Sequence, residues 1–119
     1  MHELPIIESV LKIVLQAAEE NRVNRVVTIT LKVGEMRDFI EEFMQRYFDY
    51  CTRGTIAEGA KLEVVKIPIT VQCKDCGQLL EATRTEWIRL KTFSCKSCGS
   101  SNLKQISGSE FTIEDIGVV

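Results

Sequence analysis

The sequence predicts an α+β fold in which two helices pack on a three-stranded sheet, interrupted by a small inserted domain of different character. Apolar residues recur at helical spacing in two segments, and they alternate with polar residues in three others. Four of the five cysteines lie between the second and third predicted strands, where periodicity is weak. A chain of 119 residues suffices for one ordinary domain, or for a small domain with a smaller satellite.

The chain begins with a predicted helix and a predicted strand. Apolar residues recur every three or four positions over residues 5–20, which forms one apolar stripe. Pro5 suits the first helical turn, where its missing N–H leaves no bond unmade. Residues 25–35 then alternate apolar and polar side chains up to Gly34, as expected for a strand with one buried face.

A second helix and a second strand are predicted next. Asp38 followed by Glu41 resembles a capping box, and the apolar residues after it fall on one helical face that ends at Cys51. We interpret Cys51 as a buried apolar thiol rather than a reactive one. Residues 61–73 read as one long strand, in which Pro68 indicates an edge position or a bulge.

The third strand follows the inserted segment. Residues 110–119 alternate apolar and polar side chains again, whereas residues 73–106 contain four cysteines and the only tryptophan. We expect the insertion to be held together by something other than an apolar core. The predicted organisation is therefore an α+β domain made of residues 1–72 plus 107–119, and an inserted domain made of residues 73–106.

Composition excludes several classes of protein. The net charge is −2, so the chain lacks the basic field typical of proteins that bind nucleic acid or membranes. No apolar run approaches the ~20 residues that cross a bilayer. The first residues are acidic and lack a basic segment, which argues against a signal peptide. We expect a cytoplasmic protein, and in that compartment paired cysteines are more often metal ligands than disulfides.

The motifs QCKDCG and SCKSCG form a C-x₂-C-x₁₈-C-x₂-C pattern. Two residues between cysteines let both sulfurs of a tight turn face one ion, and Gly77 and Gly99 permit the positive φ of such turns. A tetrahedral shell of four thiolates suits zinc and leaves no position for substrate, so the predicted ion is structural. Two disulfides or an iron–sulfur centre are the alternatives. The predicted zinc ligands are Cys73, Cys76, Cys95 and Cys98.

The inserted domain is therefore predicted to be zinc-ribbon-like. Coordination can contribute on the order of 10–16 kcal/mol, so we expect metal removal to unfold residues 73–106 and to leave the α+β core largely intact. Six basic residues stand against three acidic ones in this segment, together with Trp87 and Phe93. Such a surface sometimes binds nucleic acid, but a tetrathiolate centre of net charge −2 offsets most of the surplus. A solvated surface accounts better for these charges.

His2 is the only histidine of the chain and lies next to the terminal amine. The Met1 amine, the His2 backbone nitrogen and the His2 imidazole can reach one ion through small, nearly planar chelate rings. Nitrogen donors in a plane favour nickel(II) or copper(II), and the Glu3 amide can add a further donor. Taken alone, a histidine at position 2 is most often an idle exposed residue.

The order of these motifs resembles a known family. The terminus MHEL, a helix, a strand ending VGE, a second helix, GTIAEGAKLEV, paired CxxC motifs and a closing strand are together similar to the HypA/HybF hydrogenase nickel-incorporation proteins. The resemblance spans essentially the whole chain and implies a nickel metallochaperone. By position it puts nickel on His2, with the Met1 amine and Glu3 beside it, and structural zinc on the four cysteines.

The resemblance also implies partners. It implies delivery of nickel to the [NiFe]-hydrogenase large subunit together with the nickel GTPase HypB, and in some bacteria delivery to urease with its maturation proteins. Relatives use an acidic side chain early in the second helix, and Asp38 and Glu41 match that position loosely. Some relatives carry histidines beside the zinc motifs, whereas this chain has none there.

Two other functional classes compete with this interpretation. An enzyme would need an assembled catalytic set, but the chain has one histidine, an isolated Cys51 and no glycine-rich phosphate loop. The protein is therefore predicted not to be an enzyme. The remaining alternative is a zinc-ribbon adaptor module that binds nucleic acid or protein. Such an adaptor would tolerate loss of His2, whereas a nickel carrier would not.

Overall fold

The structure is a computed structural model that describes residues 4–37, 39–90 and 93–119. Within these residues it contains two α-helices, six strands and one short π-helix. In chain order they are α1 (Leu4–Glu20), β1 (Val26–Gly34), α2 (Glu41–Cys51), β2 (Lys61–Ile67), β3 (Ile69–Cys73), β4 (Leu79–Ala82), the π-helix (Thr85–Leu90), β5 (Leu103–Ser107) and β6 (Phe111–Val118).

The strands form two three-stranded sheets, in the orders β2-β1-β6 and β4-β3-β5. The α+β class is therefore confirmed, and the first sheet contains the three strands that alternation predicted. The second sheet is antiparallel, with Val71 of β3 opposite Leu80 of β4 on one side and Gln105 of β5 on the other. Alternation did not reveal this sheet, because β4 and β5 have only four and five residues.

The prediction of one long strand over residues 61–73 is wrong. The segment is divided at Pro68 into β2 and β3, which belong to different sheets. Proline has no N–H to donate to a ladder, so pairing stops there. The Pro68 carbonyl instead accepts a 2.9 Å hydrogen bond from the Ser107 hydroxyl.

Helix α1 confirms the predicted apolar stripe. Its buried residues are spaced by three or four positions and are Ile7, Val10, Val14 and Ala18. The chain leaves the helix through Arg22, which has φ of 53°, while the Val23 N–H donates to the Ala18 carbonyl at 3.0 Å. This is the left-handed termination that glycine usually makes.

Helix α2 begins differently from the prediction. Its N-cap residue is Ile40, in an extended conformation and without a side-chain capping bond, so the predicted capping box is wrong. Glu41 is instead the first helical residue, where a negative charge suits the helix dipole. Met44 and Phe48 are buried, whereas Phe43 is 47% exposed. Cys51, predicted to be buried, is half-buried at the last helical position.

The chain divides into two compact units. The first comprises Met1–Lys32, Phe39–Val65 and Thr112–Val119, and the second comprises Val33–Asp38 and Lys66–Phe111. The first unit contains both α-helices and its buried side chains include Phe48. The sequence predicts that residues 1–72 plus 107–119 and residues 73–106 fold as separate domains. That division stays a proposal.

The second unit has an apolar core, which residues of the predicted insertion share with residues outside it. Ile69, Val71 and Ala82 are buried together. The partly buried side chains that pack on them are Met36, Leu80, Trp87, Phe93 and Leu103. The sequence did not predict this core because three of its members precede residue 73 and so lie outside the predicted insertion.

Gly34, the last residue of β1, lies in the second unit and closely approaches another backbone segment of that unit. Its N–H donates to the Glu110 carbonyl at 2.8 Å, and a Cβ at this position would overlap the backbone of Gly108. Met36 contacts the same backbone segment, since its N–H donates to the Gly108 carbonyl at 2.8 Å. Glycine is required here by the close approach of two backbone segments.

In the part of the chain that is described, no helix is long and apolar enough to cross a membrane.

Candidate metal centre

The four cysteines predicted to bind metal converge in the second unit. Their sulfur atoms all lie within 4.8 Å of one another. The Cys73 and Cys98 sulfurs are 3.5 Å apart, as are the Cys76 and Cys95 sulfurs. A tetrahedral zinc ion with bonds of about 2.3 Å needs sulfur separations of about 3.8 Å. The cluster therefore fits one tetrahedral ion, and this donor set could hold structural zinc.

Each pair of cysteines lies in a tight turn of the same construction. In the first turn, the Cys73 N–H donates to the Gln78 carbonyl at 2.9 Å and the Gly77 N–H donates to the Cys73 carbonyl at 2.8 Å. In the second turn, Gly99 donates to Cys95 at the same 2.8 Å. The two glycines have φ of 80° and 74°, which confirms the predicted positive φ. We call these turns the first and second knuckles, residues 73–78 and 95–100.

The two sulfurs of each knuckle differ in exposure. Cys73 and Cys95 come first in their knuckles and are buried, with 1% and 2% of their surface exposed. Cys76 and Cys98 come second and are exposed. The centre therefore has a buried side that excludes water and an open side through which an ion can enter or a chelator can approach.

The buried sulfurs favour the thiolate form. The backbone N–H of Cys98 lowers the pKa of the Cys95 thiol to about 6, against the opposing effect of burial. Burial also raises the pKa of Cys73, but hydrogen bonds from the Cys76 and Asp75 backbone and from the Cys98 thiol outweigh it, so that pKa is lowered overall. Thiolates at these positions are the form that binds a metal.

The exposed sulfurs favour the protonated form. The Ser100 N–H acts to lower the pKa of Cys98, but Cys73, the partial loss of water around the sulfur, Cys76 and Cys95 together outweigh this and raise that pKa to about 12. For Cys76 the Gln78 N–H lowers the pKa, and the larger combined effect of Cys95, the partial loss of water around the sulfur and Cys73 raises it. Each 3.5 Å sulfur pair thus joins a thiolate-favouring cysteine to a thiol that can donate to it.

This arrangement limits the chemistry of the centre. The sulfur separations of 3.5 Å exceed the ~2.05 Å of a disulfide bond, so the structure does not contain the alternative of two disulfides. Four protein sulfurs complete a tetrahedral shell, which leaves no open position for a substrate and is typical of structural zinc. An iron–sulfur centre would use the same four donors and stays an alternative.

The predicted nickel ligands fall outside this centre. Met1, His2 and Glu3 lie outside the described residues, as does Asp38. Glu41 is exposed in the first turn of α2. The nickel site therefore stays a prediction from the sequence.

Sequence reasoning missed a set of hydrogen bonds that Asp75 of the first knuckle makes with residues 100 and 102. The Asp75 carboxylate accepts hydrogen bonds from the side chains of Ser100 and Asn102. The available clue was the one difference between CKDCG and CKSCG, where Asp75 in the first knuckle corresponds to Ser97 in the second.

The fold and the four-sulfur centre define a small metal-binding protein of the α+β class. Residues 1–118 match the family model described as hydrogenase/urease nickel incorporation, metallochaperone, HypA, and the chain belongs to this family. It is 36% identical over 118 residues to a hydrogenase maturation factor HypA from Nostoc sp., which covers 99% of this chain and 96% of that relative. It is 35% identical to another from Alkalilimnicola ehrlichii, with 99% of each chain covered.

Two solved structures have the same fold. The solution structure of the Ni metallochaperone HypA from Helicobacter pylori gives a TM-score of 0.63 at 18% identity, covering 98% of this chain and 97% of that one. A second solution structure of a HypA protein gives 0.73 at 19% identity, covering 100% and 97%. The resemblance to the HypA/HybF family is thus confirmed, and the family is one of metallochaperones that act in hydrogenase maturation.

Proposed function

We propose that this protein is a nickel metallochaperone that binds Ni(II) at its amino terminus and delivers it for maturation of [NiFe]-hydrogenase. The observation that carries the proposal is the match of residues 1–118 to a family of hydrogenase and urease nickel-incorporation proteins. Nickel is here the transported ion rather than a resident cofactor. A urease client is a second destination within the same proposal.

The nickel ligands in this proposal are the Met1 amine, the backbone and imidazole nitrogens of His2, and Glu3. A terminal amine and an imidazole both lose their protons near neutrality, so both can bind a metal there. Nitrogen donors of this kind favour nickel(II) over zinc, whereas the four cysteine sulfurs favour zinc. Nickel is therefore expected at the nitrogen donors and zinc at the cysteine sulfurs. Asp38 and Glu41 are the candidates for an additional carboxylate ligand.

The zinc centre has a structural part in this function. With four protein ligands it fixes the shape of the second unit, and this unit offers a rigid surface for docking on an acceptor. The proposed partners are the nickel GTPase HypB and the [NiFe]-hydrogenase large subunit, and for urease its maturation proteins. The protein transfers an ion and is not an enzyme, and it works in the cytoplasm.

The proposal is tested by hydrogenase maturation in cells. A strain that lacks its own HypA is complemented with the wild-type chain or with His2→Ala, and hydrogenase activity is measured with and without added nickel. We expect His2→Ala to fail in low nickel and to recover when nickel is added. An amino-terminal extension, which converts the Met1 amine into an amide, should have the same effect.

The control is the zinc content of the purified variant, which should equal that of the wild type because His2 is not among the four cysteine ligands. Normal maturation by His2→Ala in low nickel would contradict the proposal and would favour the zinc-ribbon adaptor instead.

A further inference from the structure

We propose that Asp75 and Ser100 form a positioning pair that holds the two knuckles together and slows release of the metal from the four-cysteine centre. The inference rests on metal binding by the four cysteines, which is one part of the proposed function, and is independent of nickel at the amino terminus. It concerns residues that bind no metal themselves but act through the ligands they hold.

The pair joins the knuckles through side chains. The Ser100 hydroxyl, in the second knuckle, donates a hydrogen bond to the carboxylate of Asp75, in the first. These residues are separated by 25 positions in the sequence. A charged acceptor makes such a bond stronger than one between neutral groups. The contact is therefore a direct tie between the two halves of the metal centre.

Each member of the pair also contacts a ligating sulfur through its backbone. The Asp75 N–H donates to the Cys73 sulfur, and the Ser100 N–H donates to the Cys98 sulfur. These two sulfurs come from different knuckles and lie 3.5 Å apart. The tie between Asp75 and Ser100 thus spans the same gap as the sulfur pair, so opening the tie lets Cys73 and Cys98 separate.

Asn102, the residue before β5, contacts both members of the pair. Its N–H donates to the Ser100 hydroxyl oxygen at 3.0 Å, and its side-chain amide reaches the second oxygen of Asp75 at 3.4 Å. Its carbonyl accepts a 2.8 Å hydrogen bond from the Lys74 N–H. The Ser100 hydroxyl therefore both donates and accepts, and its orientation is fixed.

The position of a carboxylate here is otherwise unfavourable. A zinc ion with four thiolates has net charge −2, and the adjacent charge of Asp75 repels it. Ser97, the counterpart of Asp75 in the second knuckle, is uncharged. The hydrogen bonds that Asp75 accepts offset this repulsion, which is why we assign it a positioning role. Outer residues that orient metal ligands typically change metal affinity by about 10–100-fold.

The experiment measures metal release from the full chain. Zinc-loaded or cobalt-loaded protein is mixed with an excess of a chromophoric chelator, and the release rate is compared among variants. The variants are Asp75→Ala, Ser100→Ala, the double variant, and Ser100→Thr, which keeps the hydroxyl. Ser97→Ala is the matched control, because it alters the same place in the other knuckle and keeps the backbone N–H that contacts Cys95.

We expect both single alanine variants to release metal at least about tenfold faster than the wild type, the low end of the range for such residues. The double variant should be no faster than the singles, and Ser100→Thr and Ser97→Ala should match the wild type. The cobalt charge-transfer and d–d bands should keep their positions, which shows that four sulfurs still bind the ion.

Three results would overturn the inference, and they can be told apart. If the wild-type chain binds metal but all variants release it at the wild-type rate, the positioning pair is wrong and the metal centre stands. If the single effects multiply in the double variant, the two residues act separately and the pair is again wrong. If the wild-type chain binds no zinc or cobalt with tetrathiolate bands, the metal centre itself is wrong, and the pair with it.

Discussion

The phenolic hydroxyl of Tyr47 on α2 donates a 2.5 Å hydrogen bond to the carboxylate of Glu8 on α1. The bond joins the two helices of the first unit across 39 positions of sequence. Helix α1 begins at Leu4, directly after the proposed nickel ligands in the sequence. This contact therefore fixes the helix that follows those ligands.

The pH dependence of stability should report the Tyr47–Glu8 bond. The bond to Glu8, followed by the Cys51 thiol, raises the pKa of Tyr47 above its usual value. The folded state then holds the phenolic proton more tightly than the unfolded chain, whose phenol titrates at about pH 10. The stabilisation is full below that pH and is lost as the pH rises through the higher folded-state pKa.

We therefore expect Tyr47→Phe to lower the free energy of unfolding at neutral pH, and the difference from wild type to shrink above about pH 10. Chemical denaturation from neutral pH to above about pH 10 measures this difference in the free energy of unfolding. Tyr50→Phe is the matched control, because Tyr50 is 65% exposed on the same helix. Equal stability of the two variants at every pH would contradict the assignment.

Metal binding should release fewer than four protons per ion at neutral pH. The pKa of Cys95 is lowered to about 6, so this sulfur is already a thiolate at pH 7 and gives up no proton. Cys98, with a pKa raised to about 12, must lose one when the metal binds. As the pH falls through about 6, Cys95 takes up its proton and the number released should rise.

Calorimetric titration of zinc in buffers of different ionisation enthalpy counts these protons. Release of four protons per zinc at pH 7 would show that all four cysteines are thiols before binding. That result would contradict the assignment of Cys95 as a hydrogen-bonded thiolate.

Removal of the metal should loosen the second unit selectively. Chelation removes the ion that joins the four sulfurs. Amides over residues 73–106, including the N–H groups of Gly77 and Gly99 in the knuckles, should therefore lose protection from hydrogen exchange. The amides of α1 and α2 belong to the other unit and should keep theirs. Protection that is unchanged over residues 73–106 after full metal removal would contradict a structural role for the ion.

The end of α1 offers a stabilising substitution. Arg22 has φ of 53°, a conformation that strains a residue with a side chain. Arg22→Gly should raise the free energy of unfolding by about 0.5–1 kcal/mol, even though glycine loses more backbone entropy on folding. Arg22→Ala is the control, since it removes the charge but keeps the Cβ and should give no gain. A loss of stability in Arg22→Gly would show that the side chain itself matters there.

Long, regular patterns made the first unit predictable. The stripe of α1 and the alternation of β1 and β6 each extend over eight or more residues, and the structure confirms all three elements. Four cysteines at fixed spacing were equally informative, because the turn geometry of CxxC leaves little freedom in where the sulfurs point.

The second unit was harder to predict for physical reasons. Its core draws Met36 from one segment and Ile69 and Val71 from another, and such non-local contacts leave no periodic trace in the sequence. Pro68 was recognised as unusual, but a bulge and a break between sheets look alike along the chain. The tie between Asp75 and Ser100 depends on how the knuckles meet, which only the folded structure shows.

Nickel binding at the amino terminus is measured by a nickel(II) titration of the untagged protein beside His2→Ala, followed by calorimetry and visible absorption. We expect the wild-type chain to bind one equivalent of nickel with a d–d band, and His2→Ala to lose this binding while it keeps its zinc. Nickel binding unchanged by the substitution would contradict the amino-terminal site and with it the proposed route of delivery.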